Sequence, residues 1–129
     1  MLREPPIDNT ANNGGNDSAP SVAEVLRAAL APLAARIEAA FIYGPAAKST
    51  AAAHGDIEVM IIGGGIAYAD VIPHLIKAAK YLGRRVNPSV YSADELIRKL
   101  AGGNRVALAV LKQRKIFLFG SEDCIPQSR

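Results

Sequence analysis

At 129 residues the chain suits a single domain, and with half of its residues hydrophobic it can bury a sizeable core. Aromatics make up only 5%, with no Trp, so that core is mostly aliphatic and a base-stacking surface is not expected. The net charge of +3 hides a split: residues 1–71 carry four Lys/Arg against eight Asp/Glu, and residues 72–129 carry eleven against four.

Residues 1–20 are rich in Asn, Gly, Pro and Asp and lack apolar periodicity. They read as a flexible tail. The domain is expected over 21–123, with 124–129 as a second tail. Ser21 with Glu24 has the spacing of a capping box, and Val22, Val25, Leu26, Ala29, Leu30 and Leu33 recur at helical spacing. Pro32 lies inside this pattern and is expected to kink or divide the helix. Glu38–Tyr43 then reads as a buried strand that stops at Gly44. Pro45 suits the first turn of a short helix.

A second strand is expected over Asp56–Ile62, ended by Gly63, Gly64 and Gly65. A helix follows, with Tyr68, Val71, Ile72, Leu75, Ala79 and Leu82 on one face and Pro73 in its early turns. Arg84–Tyr91 reads as a third strand. Pro88 lacks a backbone donor, which places that strand on a sheet edge or at a bulge. Ser92 and Glu95 form a second capping box, opening a helix that ends near Gly102 and Gly103. A further helix is expected from Asn104 to about Lys112. Lys115–Phe119 is a last short strand. Strands alternating with helices give an α/β (α+β) class, a small mixed sheet flanked by helices.

Residues i and i+2 of a strand point the same way, about 6–7 Å apart. Asp56 and Glu58 therefore project together, while Ile57, Val59 and Ile61 point into a core. Two neighbouring carboxylates repel, and a divalent cation relieves that repulsion. Their hard oxygens select Mg²⁺ or Mn²⁺. An acid pair of this kind is by itself also an ordinary strand end facing solvent. Here it follows a strand–Gly44–helix turn by about ten residues, and such a turn presents N–H groups to phosphate.

The segments Phe41–Ser49 and Gly55–Gly63 resemble the nucleotidyltransferase signature of the DNA polymerase beta superfamily. Leu82–Ser92 and Lys115–Gly120 are similar to small members of the kind fused to winged-helix transcriptional regulators. The resemblance covers about residues 21–123. It implies a small mixed sheet and transfer of a nucleoside monophosphate from a nucleoside triphosphate to a hydroxyl. It also implies Mg²⁺ held by Asp56 and Glu58, and triphosphate contacts from Gly44, Pro45, Lys48 and Ser49.

Four positions depart from the pattern. Pro45 replaces a Ser and offers phosphate neither hydroxyl nor N–H. Lys48 stands for Arg and loses the bidentate fork. Ser49 stands for Gly, and Glu58 for Asp. A third carboxylate is also missing: no Asp or Glu lies between Asp70 and Asp94, and Asn87, Ser89 and Tyr91 hold the outward positions of the third strand. Catalysis is expected to be slow or absent. The alternative role is a nucleotide-sensing or partner-binding module that docks on a helical protein, in the manner of an antitoxin.

The remaining residues suggest little chemistry. His54 reads as a loop residue and His74 as a helix residue, and with the single Cys124 they make no zinc site. Gly63–Gly65 lacks a dinucleotide fingerprint and reads as a strand-ending turn. The dispersed basic residues read as solvated helix faces or as a positive rim for polyphosphate or an acidic partner. Direct nucleic-acid binding and membrane insertion are not expected. One cysteine and no apolar leader after Met1 fit a reducing, cytoplasmic setting.

Overall fold

The run Val59–Met60–Ile61–Ile62 has no polar residue on either side of the strand. Such a strand must be covered on both faces. The computed structural model, which describes residues 21–44, 47 and 55–126, shows how this is done. Helix α1 (Val22–Leu30) leads through a 3-10 segment (Ala31–Arg36) into strand β1 (Ile37–Tyr43). Strand β2 (Ile57–Gly63), helix α2 (Tyr68–Leu82), strand β3 (Val86–Tyr91), helix α3 (Ala93–Ala101), helix α4 (Arg105–Lys112) and strand β4 (Ile116–Phe119) follow. The sheet order is β3-β2-β1-β4. Strand β1 is antiparallel to β2 and to β4, and β2 is parallel to β3. The mixed α/β architecture read from the sequence is the one observed.

Alternate residues of the strands serve two cores. Ala40, Ile42, Ile57, Val59 and Ile61 pack with Leu26 and Leu30 of α1 and with Val71, Leu75 and Ala78 of α2. Ala39, Phe41, Met60 and Ile62 pack with Leu96 of α3, Ala107 and Val110 of α4, and Ile125. The sheet is thus the middle of three layers. The alternation around the acidic pair alone places a core behind Ile57, Val59 and Ile61. Met60 and Ile62 show that the Glu58 face is covered as well, beyond its polar end.

The local signals held. Both capping boxes form: the Ser21 N–H donates to Glu24 at 2.8 Å and the Glu24 N–H to the Ser21 hydroxyl at 3.1 Å, with the same two distances for Ser92 and Glu95. Pro32 divides the first helix, turning its continuation into a 3-10 segment. Pro88 lies on β3, an edge strand of the sheet. The Ile57 N–H donates to the Arg85 carbonyl, so odd-numbered residues of β3 bond to β2. The missing donor of Pro88 then falls on the open side. One helical reading needs correction. Helix α2 buries Val71, Leu75 and Ala78, whereas Tyr68, expected on the buried face, is exposed at the first turn.

Lys115 sits just before β4, between the helices and the Phe41 face. Its side chain is 4% exposed. Its ammonium donates to the Leu111 carbonyl at 2.6 Å, to the Gln113 carbonyl at 3.3 Å and to the Glu122 carboxylate at 3.0 Å. It also lies 5.6 Å from the Phe41 ring centre. These contacts tie the end of α4 to the turn after β4. Lys115→Ala removes the donor and leaves carbonyls without it, so urea unfolding should show a loss of about 2 kcal/mol. An unchanged midpoint would assign the contacts no net weight.

Candidate functional site

The sheet brings three strand ends together at one edge of the α3–α4 face. Strand β1 ends at Tyr43, whose register partner on β2 is Glu58. Glu58 is in turn the register partner of Asn87 on β3. Because β2 and β3 run parallel, their N-terminal ends coincide, and the C-terminal end of β1 meets them. Tyr43, Glu58 and Asn87 therefore stand in a row across three strands.

Asp56 lies one residue before β2, which begins at Ile57 rather than at Asp56 as the sequence suggested. It still projects with Glu58. The Asn87 Nδ2 donates to Asp56 Oδ2 at 3.0 Å and to Glu58 Oε2 at 2.9 Å. Both carboxylates thus point at one atom. The amide orientation follows from the network: turning it would set Oδ1 against two carboxylate oxygens. Asp56 is exposed, and Glu58 is half-buried against the sheet.

Gly44 closes the row on the β1 side. Its backbone has φ 77°, a conformation costly for residues with a side chain. A Cβ placed there would lie 3.6 Å from the Glu58 Cγ, so the turn rests directly on this carboxylate's stem. The Gly44 carbonyl accepts from the Ala47 N–H at 3.0 Å, which closes a tight turn. On the other side, Arg84 Nε donates to the Gly55 carbonyl at 3.0 Å and fixes the approach to Asp56. Of the residues predicted for the site, Gly44, Asp56 and Glu58 lie together at this edge. Pro45, Lys48, Ser49 and also His54 lie outside the described residues.

Two members of the row had no sequence signal for their role. In the sequence Asn87 is marked only as an outward, uncharged residue of the third strand, and its partners lie about thirty positions away in the chain. Tyr43 reads in the sequence only as the last residue of a buried strand. Its phenol is hydrogen-bonded to Ser89, and its pKa is raised above 10.0. Burial is the main cause; the Ser89 bond opposes it, and the Glu58 charge and Tyr91 add to it. An acid whose folded pKa is raised favours the folded state while protonated. This contribution is complete below the unfolded pKa near 10 and is lost as pH rises through the folded value. In a phenolate absorbance titration one tyrosine should ionise later than in the unfolded chain, and Tyr43→Phe should remove that late step. A late step that survives Tyr43→Phe would exclude Tyr43 as its source.

The donor set consists of hard oxygens: two carboxylates, with the Asn87 amide oxygen within one side-chain rotation. It suits a divalent cation of the Mg²⁺ or Mn²⁺ type and offers no ligand for a soft metal. Among the described residues, no group of three or more His, Cys, Asp and Glu is placed to hold a metal. The pair brings two carboxylates together, and among the described residues no third acid stands beside it to act as a base. Among the same residues, no helix is long and apolar enough to cross a membrane.

No protein-family model matches the chain, and no curated protein matches it. Among solved structures, one similar chain comes from a crystal structure of a mutant of the toxin–antitoxin MntA–HpeT. The two chains are 10% identical, with a TM-score of 0.49, over 78% of this chain and 75% of that one. A likeness this slight assigns no role, and function has to be argued from the strand ends themselves.

Proposed function

We propose that this chain is a nucleotidyltransferase-like domain that binds a divalent cation and a nucleoside triphosphate at the Gly44–Asp56–Glu58 edge, with transfer slow or lost. The observation that carries the reading is the convergence of Asp56 and Glu58 on a single point, beside a glycine turn. In this structure that point is held by the Asn87 amide, a neutral donor where a divalent cation would meet both charges.

Asp56 and Glu58 would hold the cation. When bound, it would neutralise phosphate oxygens and raise the acidity of an acceptor hydroxyl. The chain's own part is to fix the two carboxylates on the rigid end of β2 and to set the Gly44 turn against Glu58. The position opposite Glu58 on the neighbouring strand holds Asn87, which is neutral and cannot take a proton from an acceptor hydroxyl. Binding therefore outlasts turnover in this site.

Calorimetric titration with ATP, with and without Mg²⁺, tests the reading. The expected result is Mg²⁺-dependent binding with little or no release of pyrophosphate. No heat at millimolar ATP would remove it.

A second reading, docking on a protein partner, is favoured by helix α2. Three of the five large apolar residues exposed among the described residues lie on it: Tyr68 at 56%, Ile76 at 50% and Tyr81 at 65%. Nucleotide binding is the discriminating result, because a docking module needs none.

A further inference from the structure

We infer that Asn87 is a latch on the acidic pair, and that the residue at this position sets the affinity of the site for cations. The inference rests on the binding reading above and concerns how that site is opened.

Asn87 is held in place by the backbone, as the register partner of Glu58 in the parallel β2–β3 pairing. Its Nδ2 carries two hydrogens. One is directed to Asp56 Oδ2 at 3.0 Å and one to Glu58 Oε2 at 2.9 Å. The amide thus occupies the point where the attraction of both carboxylates adds. It answers two like charges with a neutral donor, whereas a divalent cation would answer them with a full opposite charge.

An N–H donor and a cation cannot share that point. Entry of the ion therefore requires the amide to leave, breaking two charge-assisted hydrogen bonds. A half-turn about the last side-chain bond replaces Nδ2 by Oδ1, a hard oxygen suited to the same ion. Asn87 has two states, a donor that closes the pair and a ligand that completes it. Aspartate at this position has only the second. It would repel the pair when metal is absent and add a third charge when metal is present.

The test uses the full chain and Mn²⁺ as probe, with free Mn²⁺ read by electron paramagnetic resonance. Asn87→Asp should tighten Mn²⁺ binding about tenfold or more, as added ligand charge does in oxygen sites. Its thermal stability should also become metal-dependent, falling in chelator and recovering with Mn²⁺. In the wild type, the side-chain amide signals of Asn87 should move in an NMR titration with Mg²⁺. A purely structural asparagine would leave them in place. If the wild type binds Mn²⁺, Asp56→Asn abolishes that binding and Asn87→Asp binds no tighter, the latch is wrong and the site stands. If neither the wild type nor Asn87→Asp binds Mn²⁺, the site and the latch fall together.

Discussion

Replacing Gly63 by alanine should destabilise the domain by about 3 kcal/mol, at the upper end of what overpacking a well-filled site costs. Gly63 is the last residue of β2 and the register partner of Ile37, where β1 enters the sheet through a bulge. A Cβ at Gly63 would lie 2.2 Å from the Arg36 carbonyl oxygen and 3.1 Å from its carbon. Both are backbone atoms and cannot swing aside like a side-chain tip.

The same carbonyl is already in use. It accepts from the Gly64 N–H at 3.1 Å, and the Arg36 guanidinium donates to the Gly65 carbonyl at 2.8 Å. The entry to β1 and the exit from β2 are thereby clamped in both directions. Moving Arg36 to admit a methyl group opens this clamp and the start of the central strand pair. For a domain of this size the expected fall in Tm is roughly 10–20 °C. Gly64→Ala serves as the control: no atom lies within 4 Å of its added Cβ. Equal melting of the two variants would mean that the close approach is not what Gly63 is for.

Asp56→Asn should remove Mg²⁺-dependent ATP binding while leaving the fold intact. The substitution keeps the shape and removes one of two charges that face a cation. Losing one such ligand is expected to cost about 2–3 kcal/mol, or roughly 30–150-fold in Kd. Asp56 is exposed and lies just outside β2, so no core contact is disturbed. Without metal the variant should be as stable as the parent or slightly more so, because a like-charge pair has been relieved. Loss of binding at unchanged stability separates a ligand from a structural residue. If binding survives in Asp56→Asn, the cation is held elsewhere.

The two predictions probe opposite ends of β2, and these ends differ in what the sequence revealed. At the acidic end, the Gly44 turn and the alternation of Asp56 and Glu58 are local features. A positive φ and a two-residue strand repeat depend on nearest neighbours alone, so they could be read directly. The Ser21 and Ser92 capping boxes and the edge placement of Pro88 were legible for the same reason. At the other end, the three glycines read only as a strand-ending turn. What sets Gly63 apart is the Arg36 carbonyl, 27 positions earlier in the chain.

The sequence by itself determined the element order, the mixed α/β class and the pairing of Asp56 with Glu58 on one side of a strand. Tertiary structure alone decided that both faces of the sheet are covered, that Tyr68 turns outward, and that Tyr43 and Asn87 flank Glu58. Strand order and register arise from pairing between distant segments, and a single sequence gives periodicity along each strand but no measure of which strands meet or in what alignment. That alignment places Asn87 between the two carboxylates, so that a common acidic pair shares one amide donor.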